Sequence, residues 1–326
     1  MPLIGKKHVL DGTKLSRRHS VFKDLYTKQK QAVRFPEEIN IQQDIGNYQS
    51  LTDEEKNLFH QLIAYFTTTE LLVQNVLGES FYPYVIDPRA KMSMTVQMFM
   101  EDIHSDFFEM ILNSFSLDHE KLYAIAEQSP IIRQKQEMVA HYANAISVSN
   151  GWVDPDTVEG KKAILMAILI NNVIQEGFRF YTWFALFFAM RELGKMRNIC
   201  NGIDLVLIDE SFHMRMGIEM ILTIIEETPE ILEDTAFIEN VQHCIVEGVE
   251  IELKFLQELL GNRQVFGVSY NEMAQYLRYI ADRRMEELGF APHFHVDQNP
   301  LKFLEKQDLM TLQNFFETTP NQYTNF

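Results

Sequence analysis

Two Glu-x-x-His units, Glu101-Asp102-Ile103-His104 and Glu210-Ser211-Phe212-His213, hold the side chains best suited to chemistry in this chain. Each lies in a long apolar stretch. Each is preceded by a further carboxylate, Glu70 or Glu176, also set among apolar neighbours. Residues three apart on a helix share a face, so the Glu and His of one unit can reach a common point. Four carboxylates and two imidazoles on four helices form a ligand set for two metal ions. One Glu-x-x-His alone carries little weight, because a lone buried His is commonly an ordinary core residue. The surroundings strengthen the reading: an unpaired carboxylate among apolar side chains is costly, and two cations would compensate four of them. Mixed imidazole and carboxylate donors suit iron or manganese, and the absence of Cys ligands argues against structural zinc. Asp209, directly before Glu210, is placed to accept the second ring N–H of a metal-bound His. Phe180 and Phe184 follow Glu176 at helical spacing and make an aromatic pocket wall beside that ligand, within the core.

Long helices must position these groups. Thr52 and Glu55 form a capping box that opens a helix carrying Phe59, Leu62, Phe66 and Glu70 and ending near Gly78. The pattern predicts further helices over 88–115, with Glu101, His104 and Phe108, and over 130–149. Gly151, Asp154, Pro155 and Asp156 form a loop. The apolar stretch 163–190 contains Glu176, with Gly194 as its stop. A helix over 196–226 carries Glu210 and His213. Two more follow at 229–261 and 269–288, the last opened by the capping box of Ser269 and Glu272. Residues 1–50 read as an irregular arm. Residues 289–326, with Pro292, Pro300 and Pro320, read as an extended tail. The expectation is one all-α domain over residues 1–326 with a bundle core.

Composition excludes several classes. A hydrophobic share of 46% supports a sizeable core, and 14 Gly and 10 Pro are few for a loop-rich or all-β chain. A net charge of −17 argues against a nucleic-acid-binding surface. Two cysteines, Cys200 and Cys244, are too few for a disulfide framework and fit a reducing cytoplasm. Met1 to Lys14 lacks the apolar core of a signal peptide. The stretch 163–190 is apolar enough to raise the question of a membrane span. Asn171, Asn172, Gln175, Glu176 and Arg179 near its middle would be costly in lipid, so a buried helix is the better reading.

The order and spacing of this constellation resemble the radical-generating small subunit of class I ribonucleotide reductase. Phe35-Pro36-Glu37-Glu38-Ile39 looks like that family's segment before the bundle. Glu176-Gly177-Phe178-Arg179-Phe180-Tyr181 and Asp209-Glu210-Ser211-Phe212-His213 look like its third and fourth ligand helices. Asn299-Pro300, Asn314-Phe315-Phe316-Glu317 and Gln322-Tyr323 look like its C-terminal region. The resemblance implies a ferritin-like helical bundle with a dimetal-carboxylate core and a homodimer. It implies Glu70, Glu101, His104, Glu176, Glu210 and His213 as ligands. It also implies an oxygen-derived one-electron oxidant, relayed through Asp209 and Tyr323 to a separate large catalytic subunit that reduces ribonucleotides.

Three positions depart from the family pattern. The family's radical-bearing tyrosine lies four residues after the first His ligand, and here that residue is Phe108, which has no O–H to lose. The usual first ligand is Asp and here is Glu70. Both changes resemble the class Ic subgroup and imply a heterodinuclear manganese–iron centre, Mn(IV)/Fe(III) in its oxidised form, with di-iron or di-manganese as alternatives. Arg34 stands where a tryptophan of the radical path is usual, so that path differs here, with Tyr181 as one candidate. The tail after Tyr323 is only Thr324-Asn325-Phe326. The rival reading is the related manganese–iron ligand-binding oxidase group. It forms a Tyr–Val crosslink, for which Val73 is present but Asn171 stands at the tyrosine position. A ferritin-type metal store is the non-enzymatic alternative.

Overall fold

The computed structural model describes residues 2–6 and 19–304. Helix α1 spans Ser20–Ala32 and a short α2 spans Ile45–Ser50. The expected irregular arm is therefore partly helical. Only Phe22, Leu25 and Gln29 of α1 are buried, and they seat it against the helix that carries the first Glu-x-x-His. So narrow a stripe is hard to see in sequence.

Helix α3 runs Asp53–Val76 and opens as expected: Glu55 N–H donates to Thr52 Oγ1 at 3.2 Å, and Thr52 N–H donates to Glu55 Oε2 at 3.0 Å. Helix α4 runs Pro88–Ser114, where Asp87 accepts the N–H groups of Arg89 and Ala90 at 2.9 and 3.0 Å and proline occupies the first turn. Helices α5 (His119–Gln128) and α6 (Pro130–Ile146) follow. The first of these went unpredicted, since only Leu122 and Ala126 of it are buried.

The long apolar stretch is helical throughout but not uniformly α. Helix α7 (Val158–Ile168) passes into a π-helical segment, Leu169–Arg179, and then into α8 (Phe180–Glu192). Gly194, at φ +72°, ends it as expected, with Lys195 N–H donating to Met190 O at 3.0 Å. In the most apolar part of this helix, 94% of the residues are buried inside the fold. Helix α9 (Arg197–Glu227) packs along the π segment and against α1, α4 and α8. Helix α10 (Thr235–Leu260) is joined to α11 (Tyr270–Glu287) by a two-stranded hairpin, Gln264–Val265 with Val268–Ser269. Ser269 and Glu272 cap α11 reciprocally. From 290 to 304 the chain is irregular, with bends and one short turn at Lys302–Leu304. Residues 305–326 lie outside the described residues.

Candidate metal centre

Each Glu-x-x-His unit occupies one helical face turned into the bundle. Helix α4 presents Glu101 and His104, α9 presents Glu210 and His213, α3 presents Glu70, and the π segment presents Glu176. All six are at most 1% exposed. His104 Nδ1 lies 3.2 Å from Glu210 Oε1, 3.5 Å from Glu101 Oε2 and 3.7 Å from Glu70 Oε2. His213 Nδ1 lies 3.0 Å from Glu101 Oε1 and 3.3 Å from Glu210 Oε2. Glu101 and Glu210 thus each turn one oxygen to either imidazole. Glu70, Glu101, His104 and Glu210 offer ligand atoms all within 4.8 Å of one another, as do Glu176, Glu210 and His213.

The donor set fits two cations. Both oxygens of Glu70, Glu101 and Glu210, and Nδ1 of both histidines, are buried without a hydrogen-bond partner. Buried polar atoms are almost always satisfied, so a converging group of orphans points to a ligand. Electrostatics agree. Burial, reinforced by the neighbouring Glu101 and Glu210 and only partly offset by His104, pushes the Glu70 carboxyl up to about 8. Burial and the charges of Glu210 and Glu101 also raise Glu176. Burial opposes ionisation of Glu101 as well, but the imidazoles of His213 and His104 hold it down to about 2. Burial would depress both histidines, yet the surrounding carboxylates raise them well above their ordinary range. Without metal, the cluster must therefore keep protons that cations would displace.

A shell of polar groups positions this set. His104 Nε2 faces Asp209 Oδ2 at 3.3 Å, the contact expected from sequence, and this turns Nδ1 toward the carboxylates. Glu176 is clamped by amides that sequence reasoning did not assign to it. Asn171 Nδ2 donates to Oε1 at 2.8 Å and Asn172 Nδ2 to Oε2 at 2.9 Å, while Gln97 Nε2 approaches at 3.3 Å. Their only sequence signal was polarity intruding on an apolar run. Asn172 also donates to His213 O at 3.0 Å and so ties the π segment to α9. Arg284 Nε of α11 donates to Gly177 O at 2.8 Å, within the π segment.

Phe108 is fully buried and stacks on Phe66, with ring centroids 4.9 Å apart and planes 6° apart. Phe180 and Phe184 are buried and pack on Phe66 at 5.1 and 5.5 Å. A small cleft lined by Arg34, Phe35, Phe107, Leu205 and Asp209 reaches His104. Arg34 does not engage Asp209; its guanidinium donates to the carbonyls of Gln31 and Val33. Tyr181 hydrogen-bonds Ser211 at 2.8 Å. Tyr323 lies outside the described residues.

Comparison with known proteins bears on this geometry. Residues 15–300 match the family model "Ribonucleotide reductase, small chain". The "Ribonucleoside-diphosphate reductase subunit beta" of Chlamydia pneumoniae is 28% identical over 291 residues, covering 88% of this chain and 83% of the relative. The ribonucleotide reductase R2 subunit from Clostridium botulinum superposes with a TM-score of 0.81 at 20% identity, covering 93% of this chain and 99% of that one. The dimanganese(II)-NrdF of Streptococcus sanguinis superposes with a TM-score of 0.74 at 18% identity, covering 93% and 99%. The architecture is the ferritin-like all-α bundle expected from sequence.

Proposed function

The chain belongs to the ribonucleotide reductase small-chain family and is a small subunit of ribonucleoside-diphosphate reductase; from that premise we propose how it serves the enzyme. Glu70, Glu101, His104, Glu176, Glu210 and His213 would hold two metal ions, as two groups of converging donors, Glu70, Glu101, His104 and Glu210 in one and Glu176, Glu210 and His213 in the other. The observation that carries this reading is the convergence of buried carboxylate and imidazole atoms that have no hydrogen-bond partner. When bound, the metals supply oxygen activation and a one-electron oxidant.

The chain's own residues define how that oxidant is kept. Asp209 receives the Nε2–H of His104 and fixes the ring with Nδ1 inward. Phe66, Phe108, Phe180 and Phe184 exclude water from one flank. Phe108 has no phenolic hydrogen to lose, which favours a class Ic-like manganese–iron pair that retains the oxidising equivalent. Carboxylate and imidazole donors accept both metals, and the similarity to a dimanganese protein supports manganese as one occupant. The chain acts as a cytoplasmic homodimer that passes its oxidant to the large catalytic subunit by way of Asp209 and Tyr323. Asn171, at the position where the ligand-binding oxidase needs a tyrosine, instead donates to Glu176, which supports the reductase over that rival.

The test is reconstitution. Protein loaded with Mn(II) and Fe(II), exposed to oxygen and mixed with the large subunit should form deoxynucleotides without a tyrosyl EPR signal. No turnover with any metal combination would sink the proposal. Activity that tracks a tyrosyl signal would sink the manganese–iron assignment.

A further inference from the structure

A second buried polar cluster lies beside the metal site, and the chemistry above makes no use of it. Tyr65 of α3 stacks on Trp183 of α8, with ring centroids 4.0 Å apart and planes 14° apart. Lys135 Nζ sits 3.8 Å above the Tyr65 ring and 4.7 Å above that of Trp183. It pairs with Glu252 Oε2 at 2.7 Å, while Glu252 Oε1 accepts the Trp183 Nε1–H at 2.8 Å. None of the four is more than 1% exposed. A buried ion pair is commonly no better than apolar packing, so its presence calls for a reason beyond stability.

The two rings differ in where a proton can go. Gln175 Nε2 donates to the Tyr65 hydroxyl oxygen at 2.6 Å, and Arg179 Nη1 donates to Gln175 Oε1 at 3.3 Å. Arg179 thus fixes the amide with its N–H toward Tyr65, and no described residue accepts the Tyr65 proton. Trp183 instead donates directly to a carboxylate. A cation above an aromatic face is attracted to its π electrons, and removing one of them turns that attraction into repulsion. Burial lowers Lys135 to about 7 against the pull of Glu252. When charged it opposes a bare indole cation, and the carboxylate on the Nε1–H gives the proton an acceptor, so electron loss from Trp183 is favoured by proton loss at the same time. Phe66 joins this cluster to the metal site. It meets Trp183 edge-on at 6.1 Å and stacks on Phe108, which lies one helical turn beyond His104.

We propose that Trp183 is a proton-coupled one-electron donor to the oxidised metal centre, with Glu252 as the proton acceptor. The proposal rests on the metal-centre reading given above. The indole gives one electron to the centre, which is reduced by one. The Nε1–H bond breaks and its proton joins Glu252 Oε1, leaving a neutral indolyl radical and a neutral carboxylic acid beside Lys135. The chain thereby has an oxidisable residue where Phe108 offers none.

The experiment uses a Trp152→Phe background, because Trp152 is the other tryptophan and is 58% exposed. Manganese–iron protein is reacted with oxygen without the large subunit and freeze-quenched for EPR. A transient neutral indolyl signal is expected, altered by ring-deuterated tryptophan, which tests the unmutated core without any risk to folding. Glu252→Gln keeps an acceptor for the indole but cannot take its proton, and should slow radical formation on the order of a hundredfold. Zinc-loaded protein, which is redox-silent, is oxidised in parallel by flash-generated tris(bipyridyl)ruthenium(III). The same radical is expected there, lost in Trp183→Phe. Absence of a deuterium-sensitive radical in the zinc protein, or equal rates in Glu252→Gln, overturns the redox assignment of Trp183. A radical in the zinc protein but none in manganese–iron protein whose oxidised absorption forms overturns transfer to the centre alone. A centre that forms no oxidised absorption overturns the metal-centre reading and the donor role together, while the zinc result still reports on Trp183 itself.

Discussion

At the scale of single residues, the two ends of the site are held differently. Glu70 has no hydrogen-bond partner at either oxygen, whereas Glu176 is gripped at both by Asn171 and Asn172. One end can adapt to its ion, while the other is preset. Removing a group that orients a metal ligand typically costs about 10–100-fold in affinity. Asn172→Ala should therefore weaken the ion held by Glu176 and His213 by that factor and leave the ion held by Glu70 and His104 nearly unchanged. Titration with Mn(II), read as two binding phases, checks this; equal weakening of both phases would contradict it. Gln97→Leu should matter less, since its contacts to Glu176 are longer, at 3.3 and 3.5 Å.

At the scale of elements, the π segment decides where Glu176 points, and its fit against α9 is tight. A Cβ added at Gly217 would fall 2.2 Å from Asn172 Cβ, so α9 and the π segment would have to move apart. Gly217→Ala should lower stability by about 1–3 kcal/mol through overpacking. It should also displace the amide clamp, so that one metal binds normally and the second weakly. Thermal melts together with metal content per chain test both halves, and a variant with two tight metals would show that the contact does not position Glu176. This element also marks the limit of what the sequence revealed. The Glu-x-x-His pairs and the capping boxes at Thr52 and Ser269 were legible because spacing of three on a helix is a local property. The π segment was not, because its polar residues Asn171, Asn172, Gln175, Glu176 and Arg179 share a face at spacings that an ordinary α-helix also gives, so the pattern does not reveal the wider pitch. Asn171 and Asn172 could be read only as misfits in an apolar run, since their partner is set by the bulge itself. Lys135 and Glu252 come from helices far apart in the chain, and no local pattern joins them.

At the scale of the whole molecule, the bundle encloses carboxyls (Glu70, Glu101, Glu176) and imidazoles (His104, His213) whose protonation couples metal binding to folding. The Glu70 carboxyl is raised from 4.5 to about 8 in the fold, so between those values the metal-free folded chain holds a proton that the unfolded chain has lost. Stability then falls as pH rises through that window. The raised His104 and His213 act in the same direction: their contribution is complete below their ordinary value of 6.5 and is lost as pH climbs through the raised ones. Glu101, lowered to about 2 from 4.5, acts in the opposite sense but only below 4.5, so it contributes no slope near neutrality. The metal-free protein should therefore lose stability from about pH 5 to pH 8. Metal ions displace those protons, so their stabilisation should grow over the same range, reaching about 2.7 kcal/mol at a hundredfold excess over Kd. Melting temperatures of chelator-treated and Mn(II)-loaded protein, compared across this range, should diverge as pH rises. A gap that narrows instead would mean that the buried carboxyls and imidazoles do not hold the displaced protons, and the charge balance assigned to the site would be wrong.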